Sequence, residues 1–337
     1  MQEIPTGREG AILPAPWCVA LDFGGTKLAA GLVDWQRGQV LRQARCATGP
    51  GRGARGQIAD MLALVEGGLR LSADEWRAVA GVGVSFGGPV DAASGTVLHS
   101  HHVEGWGGLP LATILAEALG RPVLIENDAN AVALGEYRYG TGRGTEDLVY
   151  LTISTGIGGG IVLGGRLWRG RHGLAGEIGH MVVRPDGPLC TCGNRGCLEA
   201  LASGPSIARR AGEALAASAG GSRLLALAGG NPAGLSAELV FRAAHAGDEV
   251  AAAVVAAVAE DLGLGIAMLV SVLDPGRVIL GGGVAKAGEG LLAPVRRAFR
   301  RHAFPMLRDQ VSIVQAAAPD EGGLLGATAL VASAALQ

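Results

Sequence analysis

Asp22-Phe23-Gly24-Gly25-Thr26-Lys27, set between the apolar runs 18–21 and 28–33, is the stretch whose reading decides the fold. Cys18-Val19-Ala20-Leu21 reads as a buried strand, the glycine pair interrupts it, and the apolar run then resumes. The whole is a strand, a glycine turn and a returning strand. A second segment of the same form lies further along, with 148–153 as strand, 154–160 as turn and 161–163 as return. Both turns combine small residues with a hydroxyl. Two such β-hairpins in one chain point to an internal structural duplication.

Between the hairpins, 58–71 and 111–119 have helical spacing, while 79–84 and 123–126 read as strands. Beyond the second hairpin, helices are expected over 206–217, 237–246 and 249–273, followed by a strand over 277–280. Alternating strands and helices in two halves make the chain α/β. Its 337 residues suggest two domains. The expected division is an N-terminal arm over 1–16, a small α/β domain over 17–126 completed by 318–337, and a large α/β domain over 127–317.

Lys plus Arg is 28 and Asp plus Glu 30, a net charge of −2 that supplies no long-range attraction to nucleic acid or an anionic membrane. The longest apolar stretch, 262–273, is short of the roughly 20 residues of a membrane helix. Met1 to Pro16 shows no basic start followed by an apolar run, so no leader is read there and a cytoplasmic location is expected. Glycine is the outlier: 57 residues, more than twice the average usage of about 7%. With no collagen-like period, many of them should serve tight turns and close backbone approaches to ligands.

Glycine hairpins present backbone N–H groups to a phosphate because no Cβ blocks its approach. In the first, Asp22 is placed to hold Mg²⁺, directly or through water, and Thr26 offers a hydroxyl; in the second, Thr155 and Gly156 face the β- and γ-phosphates. Neither matches the Walker pattern. Cys190-Thr191-Cys192-Gly193-Asn194-Arg195-Gly196-Cys197 gives C-x-C-x₄-C, with His180 upstream. Three thiolates and one imidazole complete a closed, structural zinc set, and Gly193 and Gly196 let the chain turn tightly around it. Asn127-Asp128 follows the apolar run 123–125, at the carboxyl end of a strand, where ligands gather. Asp128 is there the candidate general base toward a substrate hydroxyl, or else the cap of the helix that follows. Glu177 and Glu199 flank the cysteine loop and suit hydroxyl groups. Gly83-Val84-Ser85-Phe86-Gly87 fits the G-x-S-x-G nucleophile elbow, which would make Ser85 an esterase nucleophile, although no helix is read directly after it.

Taken together, these motifs resemble the ROK family of sugar kinases and related repressors, over about 19–329. The resemblance rests on the first glycine turn, Glu126-Asn127-Asp128, the turn 154–160, Glu177-Ile178-Gly179-His180, the cysteine loop ending Cys197-Leu198-Glu199, and Leu280-Gly281-Gly282-Gly283. It implies a two-domain actin-like (ribonuclease H-like) ATPase fold with duplicated phosphate hairpins and an inter-domain cleft that closes over a sugar. It further implies ATP-dependent phosphorylation of a hexose, with Asp128 as general base. By the resemblance, Gly88, Asn127, Asp128, Glu177, His180 and Glu199 bind the sugar. Asp22, Gly24, Gly25, Thr26, Lys27, Thr155 and Gly156 serve the phosphates with Mg²⁺, and Gly282 and Gly283 lie near the nucleoside. His180, Cys190, Cys192 and Cys197 hold zinc, and a homodimer or homotetramer is implied. Glucose is the first substrate and N-acetylmannosamine or N-acetylglucosamine the next. Family glucokinases usually carry an Asn before a Gly-Trp pair, where this chain has His102-Val103-Glu104-Gly105-Trp106, so His101 and His102 bear on sugar choice. Repressors of the family add a helix-turn-helix ahead of the first hairpin. Only 21 residues precede Asp22, which disfavours a sugar-sensing regulator.

Overall fold

A computed structural model describes residues 15–49, 51–100, 103–218, 222–317 and 320–335. Most of the N-terminal arm, and His101 and His102, therefore lie outside the described residues. The chain forms two compact units, Met1–Glu126 with Ala327–Gln337, and Asn127–Gly326. The second crossing falls within the last helix rather than at 318.

In the first unit, β1 (Trp17–Phe23), β2 (Lys27–Asp34) and β3 (Gln39–Ala47) form an antiparallel meander. After α1 (Gly53–Ala63) and α2 (Ala73–Arg77), β4 (Val79–Phe86) joins β1 in parallel. A small hairpin, β5 (Val90–Asp91) and β6 (Thr96–Val97), then leads through α3 (Leu111–Leu119) to β7 (Val123–Asn127). The sheet order is β3-β2-β1-β4-β7. The helix expected over 58–71 begins earlier, at Gly53. Its second half, Leu64–Leu69, widens into a π-turn that ends at Arg70 in the left-handed region. One face of the sheet, with Val19, Leu21, Val82 and Val84, shares a core with Ile58, Met61, Leu111 and Leu115 of the helices. Phe23 and Phe86, at the ends of β1 and β4, meet Trp106 edge-on at 5.7 and 4.8 Å, and the Trp106 indole donates to Gln57 Oε1 at 3.2 Å. Phe23 is the last residue of β1, so that aromatic group adjoins the first glycine turn.

The second unit repeats the topology: α4 (Asp128–Tyr139), β8 (Leu148–Ile153), β9 (Ile157–Leu163), β10 (Arg166–Leu167), α5 (Leu198–Ala202), α6 (Gly204–Ala217), α7 (Arg223–Leu227), α8 (Ala237–His245), α9 (Glu249–Leu273), β11 (Arg277–Gly281), α10 (Gly282–Ala285), α11 (Glu289–His302) and β12 (Ser312–Gln315), after which α12 (Gly322–Ala335) begins here and passes into the first unit at Ala327. The order β10-β9-β8-β11-β12 again sets an antiparallel hairpin beside parallel strands. Residues alternate across this sheet with period two. Val149, Leu151, Val278 and Leu280 join the core of α5, α6, α8, α9 and α11, whereas Leu148, Tyr150 and Ile279 pack with Ala133 of α4. Helix α9 has the length and apolarity of a membrane span, but 67% of its apolar window is buried in this unit, as expected of a core helix.

The second hairpin differs from expectation at its turn, which is only Ser154-Thr155-Gly156. Gly158, Gly159 and Gly160 are strand residues of β9. A Cβ on Gly160 would lie 2.5 Å from Ala133 Cβ and 2.7 Å from the Ala129 carbonyl oxygen. The glycine run is therefore there to bring α4 down onto β9, and through it the residues that begin α4.

Candidate functional site

The phosphate-type turns are built alike and supported differently. In the first, Gly24 N–H donates to Lys27 O at 3.1 Å, and Gly25, Thr26 and Lys27 are exposed. Thr48, leaving β3, props it twice: its hydroxyl donates to Gly25 O at 3.0 Å and its N–H to Thr26 O at 3.1 Å. Asp22, just before the turn, accepts the Ser85 hydroxyl at 3.0 Å. Burial raises the Asp22 carboxyl above the usual range, opposed by the Ser85 hydrogen bond and the charges of Lys27 and Arg45. Ser85 itself is fully buried inside β4, with no strand-to-helix turn, so the esterase reading fails. Gly88 is half-buried, and a Cβ there would approach the His99 carbonyl to 2.8 Å.

In the second unit the turn 154–156 is closed by Ser154 N–H to Gly156 O at 2.8 Å, and Gly204 N–H at the start of α6 donates to Ser154 O at 2.7 Å. Gly282, at φ +82°, lies against Ile153, where a Cβ would be 2.5 Å from the carbonyl oxygen, and Gly283 borders Ser154. Thr155, Gly156, Gly282 and Gly283 thus gather at the carboxyl ends of the parallel strands β8 and β11.

Asn127, not Asp128, caps α4: its Oδ1 accepts the N–H groups of Ala129 and Asn130 at 3.0 and 3.2 Å. That frees Asp128 from capping. Its Oδ1 instead accepts Asn127 Nδ2 at 3.0 Å and Ala129 N–H at 2.8 Å, which fixes the half-buried carboxylate in the first helical turn. The helix end's N–H groups favour an anion there. The α4 turn lies over β9, with Ala129 Cβ 3.3 Å from where a Gly158 Cβ would be.

Glu177 precedes the 3₁₀ turn Ile178–His180, which seats on Ile157, where a Gly179 Cβ would be 2.0 Å from the Ile157 oxygen. His180 directs Nδ1 toward Cys190 Sγ at 3.7 Å, leaving Nε2 on the side of Glu177 Oε2 at 3.9 Å. Cys192 and Cys197 have their sulfurs 3.7 Å apart, and the four donor atoms all lie within 4.8 Å of one another. A tetrahedral zinc with bonds of about 2.3 Å to sulfur and about 2.0 Å to nitrogen sets edges of about 3.8 and 3.5 Å, so the set fits that ion. The Asn194 N–H holds the Cys192 thiol low, while burial pushes Cys197 up to about 12; a cation at the centre would supply the charge that ionises it. Gly196, at φ +70°, leaves no room for a Cβ, which would fall 1.5 Å from Arg184 O.

Two residues, Thr48 and Asp261, and one contact of Glu199 escaped the sequence reading. Thr48 is a lone threonine with no motif around it. Glu199 reaches the phosphate turn as well as the cysteine loop, its Oε2 accepting Ile157 N–H at 2.9 Å and its Oε1 standing 3.5 Å from the Thr191 hydroxyl. Asp261, buried in α9, accepts Arg184 Nε at 2.9 Å and Arg210 Nη1 at 2.7 Å, while Arg210 also donates to Leu201 O at the end of α5. This triad anchors the cysteine loop from behind. An acid inside an otherwise apolar helix was the available signal for it.

Residues 18–334 match the ROK family. The glucokinase of Thermotoga maritima is 34% identical over 319 residues, 95% of this chain and 98% of that protein. The N-acetylmannosamine kinase of Citrobacter koseri is 36% identical over 312 residues, 93% and 97% of the two. Among solved structures, a ROK family glucokinase from Streptomyces griseus in complex with glucose and AMPPNP superposes with a TM-score of 0.80 at 38% identity, covering 94% of this chain and 99% of that one.

Proposed function

This chain belongs to the ROK family and has its actin-like two-domain ATPase fold, and from that premise we propose that it phosphorylates a hexose at the 6-hydroxyl, with ATP as donor and glucose as first substrate. The observation that carries the reading is Asp128, oriented by Asn127 Nδ2 and Ala129 N–H at the start of α4 instead of being consumed as its cap. In the reaction Asp128 accepts the hydroxyl proton as the sugar oxygen bonds the γ-phosphorus, and the bond from that phosphorus to the bridging oxygen breaks to release ADP. The N–H groups of the turns at Gly24-Gly25-Thr26 and Thr155-Gly156 hold phosphate oxygens, and Gly282 and Gly283 border the nucleoside. Asp22 would hold the Mg²⁺ of the nucleotide, directly or through water, and that ion would neutralise charge on the phosphates, with Lys27 adding a positive charge.

Sugar hydroxyls are bound by Glu177, Glu199, Asn127 and His180 Nε2. Zinc held by His180 Nδ1, Cys190, Cys192 and Cys197 is structural; it would fix the imidazole's tautomer and so its donor toward the sugar. A cytoplasmic homodimer or homotetramer is the setting this reading implies. N-acetylmannosamine is the second reading, supported by the 36% identity to the Citrobacter koseri enzyme, against 34% to the Thermotoga maritima glucokinase. The test is Mg²⁺- and ATP-dependent ADP formation across glucose, mannose, fructose, allose, N-acetylglucosamine and N-acetylmannosamine, with Asp128→Ala alongside. Turnover on one sugar that vanishes in the variant is expected; silence on every sugar from zinc-replete protein would leave the family and remove the activity.

A further inference from the structure

Glu199 is placed as more than a sugar ligand. It lies in the first turn of α5, two residues beyond Cys197, and its carboxylate reaches back across to β9. One oxygen accepts the N–H of Ile157, the first strand residue after the phosphate turn, at 2.9 Å. The same oxygen would lie 2.5 Å from a Cβ on Gly156, so the absence of a side chain there is what admits the carboxylate. Gly156 keeps an ordinary φ, and hence its glycine answers to this contact and not to backbone strain. The other oxygen faces Thr191 of the cysteine loop. The Ile157 carbonyl, in turn, packs against Gly179 of the 3₁₀ turn that follows Glu177 and ends at His180. One residue of β9 thereby touches both the sugar side and the phosphate side.

We infer that Glu199 is a positioning residue for the second phosphate turn, a strut that ties the geometry of turn 154–156 to the sugar-binding group. The inference rests on the sugar-kinase reading for its sugar half alone. A hydrogen bond from a carboxylate to a backbone N–H at the foot of a three-residue turn restricts where the turn's own N–H groups point. Any movement of the carboxylate as it takes up a sugar hydroxyl is therefore felt by the phosphate seat, and the reverse holds by linkage. A residue that served only as a sugar contact would leave nucleotide binding untouched.

Calorimetry on zinc-replete protein separates these roles, with glucose and Mg²⁺·AMPPNP as separate probes. Glu199→Ala, which removes the acceptor, should weaken Mg²⁺·AMPPNP about five-fold in the absence of sugar, the size of one hydrogen bond. Glu199→Gln still offers an amide oxygen to Ile157 N–H and should restore nucleotide affinity to within about two-fold while losing glucose affinity about ten-fold. Gly156→Ala, whose methyl meets only the flexible end of Glu199, should weaken glucose about five-fold with no nucleotide present. Wild-type nucleotide affinity in Glu199→Ala, tighter binding there from relieved charge repulsion, or wild-type glucose affinity in Gly156→Ala would each overturn the inference. A wild-type chain that binds no hexose of the panel would instead overturn the kinase reading, with the strut still read from nucleotide binding alone.

Discussion

The two glycine hairpins share a motif, a topology and a turn length, yet they are held by different means. The first leans on Thr48, at the end of the edge strand β3, and adjoins the aromatic group of Phe23, Phe86 and Trp106. The second is locked among Glu199, Gly204 and the α4 helix, and through Glu199 it is joined to the cysteine loop. Duplication thus supplies a glycine turn twice, and among the described residues the second is the copy joined through Glu199 to the cysteine loop. A perturbation of the first turn should register as a nucleotide effect, and one of the second turn as an effect on sugar and nucleotide together.

The sharpest way to break that asymmetry is at Asp128. Asp128→Ala should lower kcat by about 10²–10⁴ while sugar binding persists, as measured by steady-state turnover beside calorimetry. Next in size is the cysteine loop: Cys192→Ser should lose zinc, read by atomic absorption, and weaken sugar binding about 10- to 100-fold. Full sugar affinity in the zinc-free variant would uncouple the metal from the site. Gly160→Ala forces a methyl against Ala133 and the Ala129 carbonyl and should cost about 1–3 kcal/mol, read from urea denaturation midpoints. Thr48→Val removes the hydroxyl from the first turn and should raise the Michaelis constant for ATP about two- to five-fold while leaving glucose binding alone. An equal loss for both substrates would erase the distinction between the hairpins.

The smallest effect concerns pH. Burial raises the Asp22 carboxyl above its ordinary 3.8, so between 3.8 and the raised value the folded chain binds more protons than the unfolded chain. Stability contributed by this group therefore falls as pH rises through that window, and is largest below it. Asp22→Asn, which keeps an acceptor for Ser85, should show a flatter stability profile over the same acidic range when urea midpoints are compared with wild type. Identical slopes would place Asp22 in water.

Much of this was legible in the chain itself. The hairpins, the C-x-C-x₄-C loop with His180, and the Asn127-Asp128 pair announced themselves through local chemistry: glycine permits turns, thiolates gather metal, and a polar pair ends an apolar strand. What misled was chemistry that depends on neighbours far off in sequence. A run of glycines after Ser154 reads as one long turn, because nothing local distinguishes a glycine that bends from one that makes room for a helix. Ser85 reads as a nucleophile until the sheet buries it in β4 and β1 brings Asp22 beside it. The choice of Asn127 as cap depends on one φ/ψ pair at the strand end, which composition does not encode.

By itself the sequence determined the α/β class, the duplicated glycine turns and the cluster of three cysteines with His180, since each is written in residues close together in the chain. Only the tertiary structure decided which groups share a task. Glu199 and Ile157 are separated by 42 positions, Asp261 and Arg184 by 77, and Ser85 and Asp22 by 63. Hydrogen bonds act over about 3 Å, and it is the folding of the sheets and helices that brings such distant residues within that range.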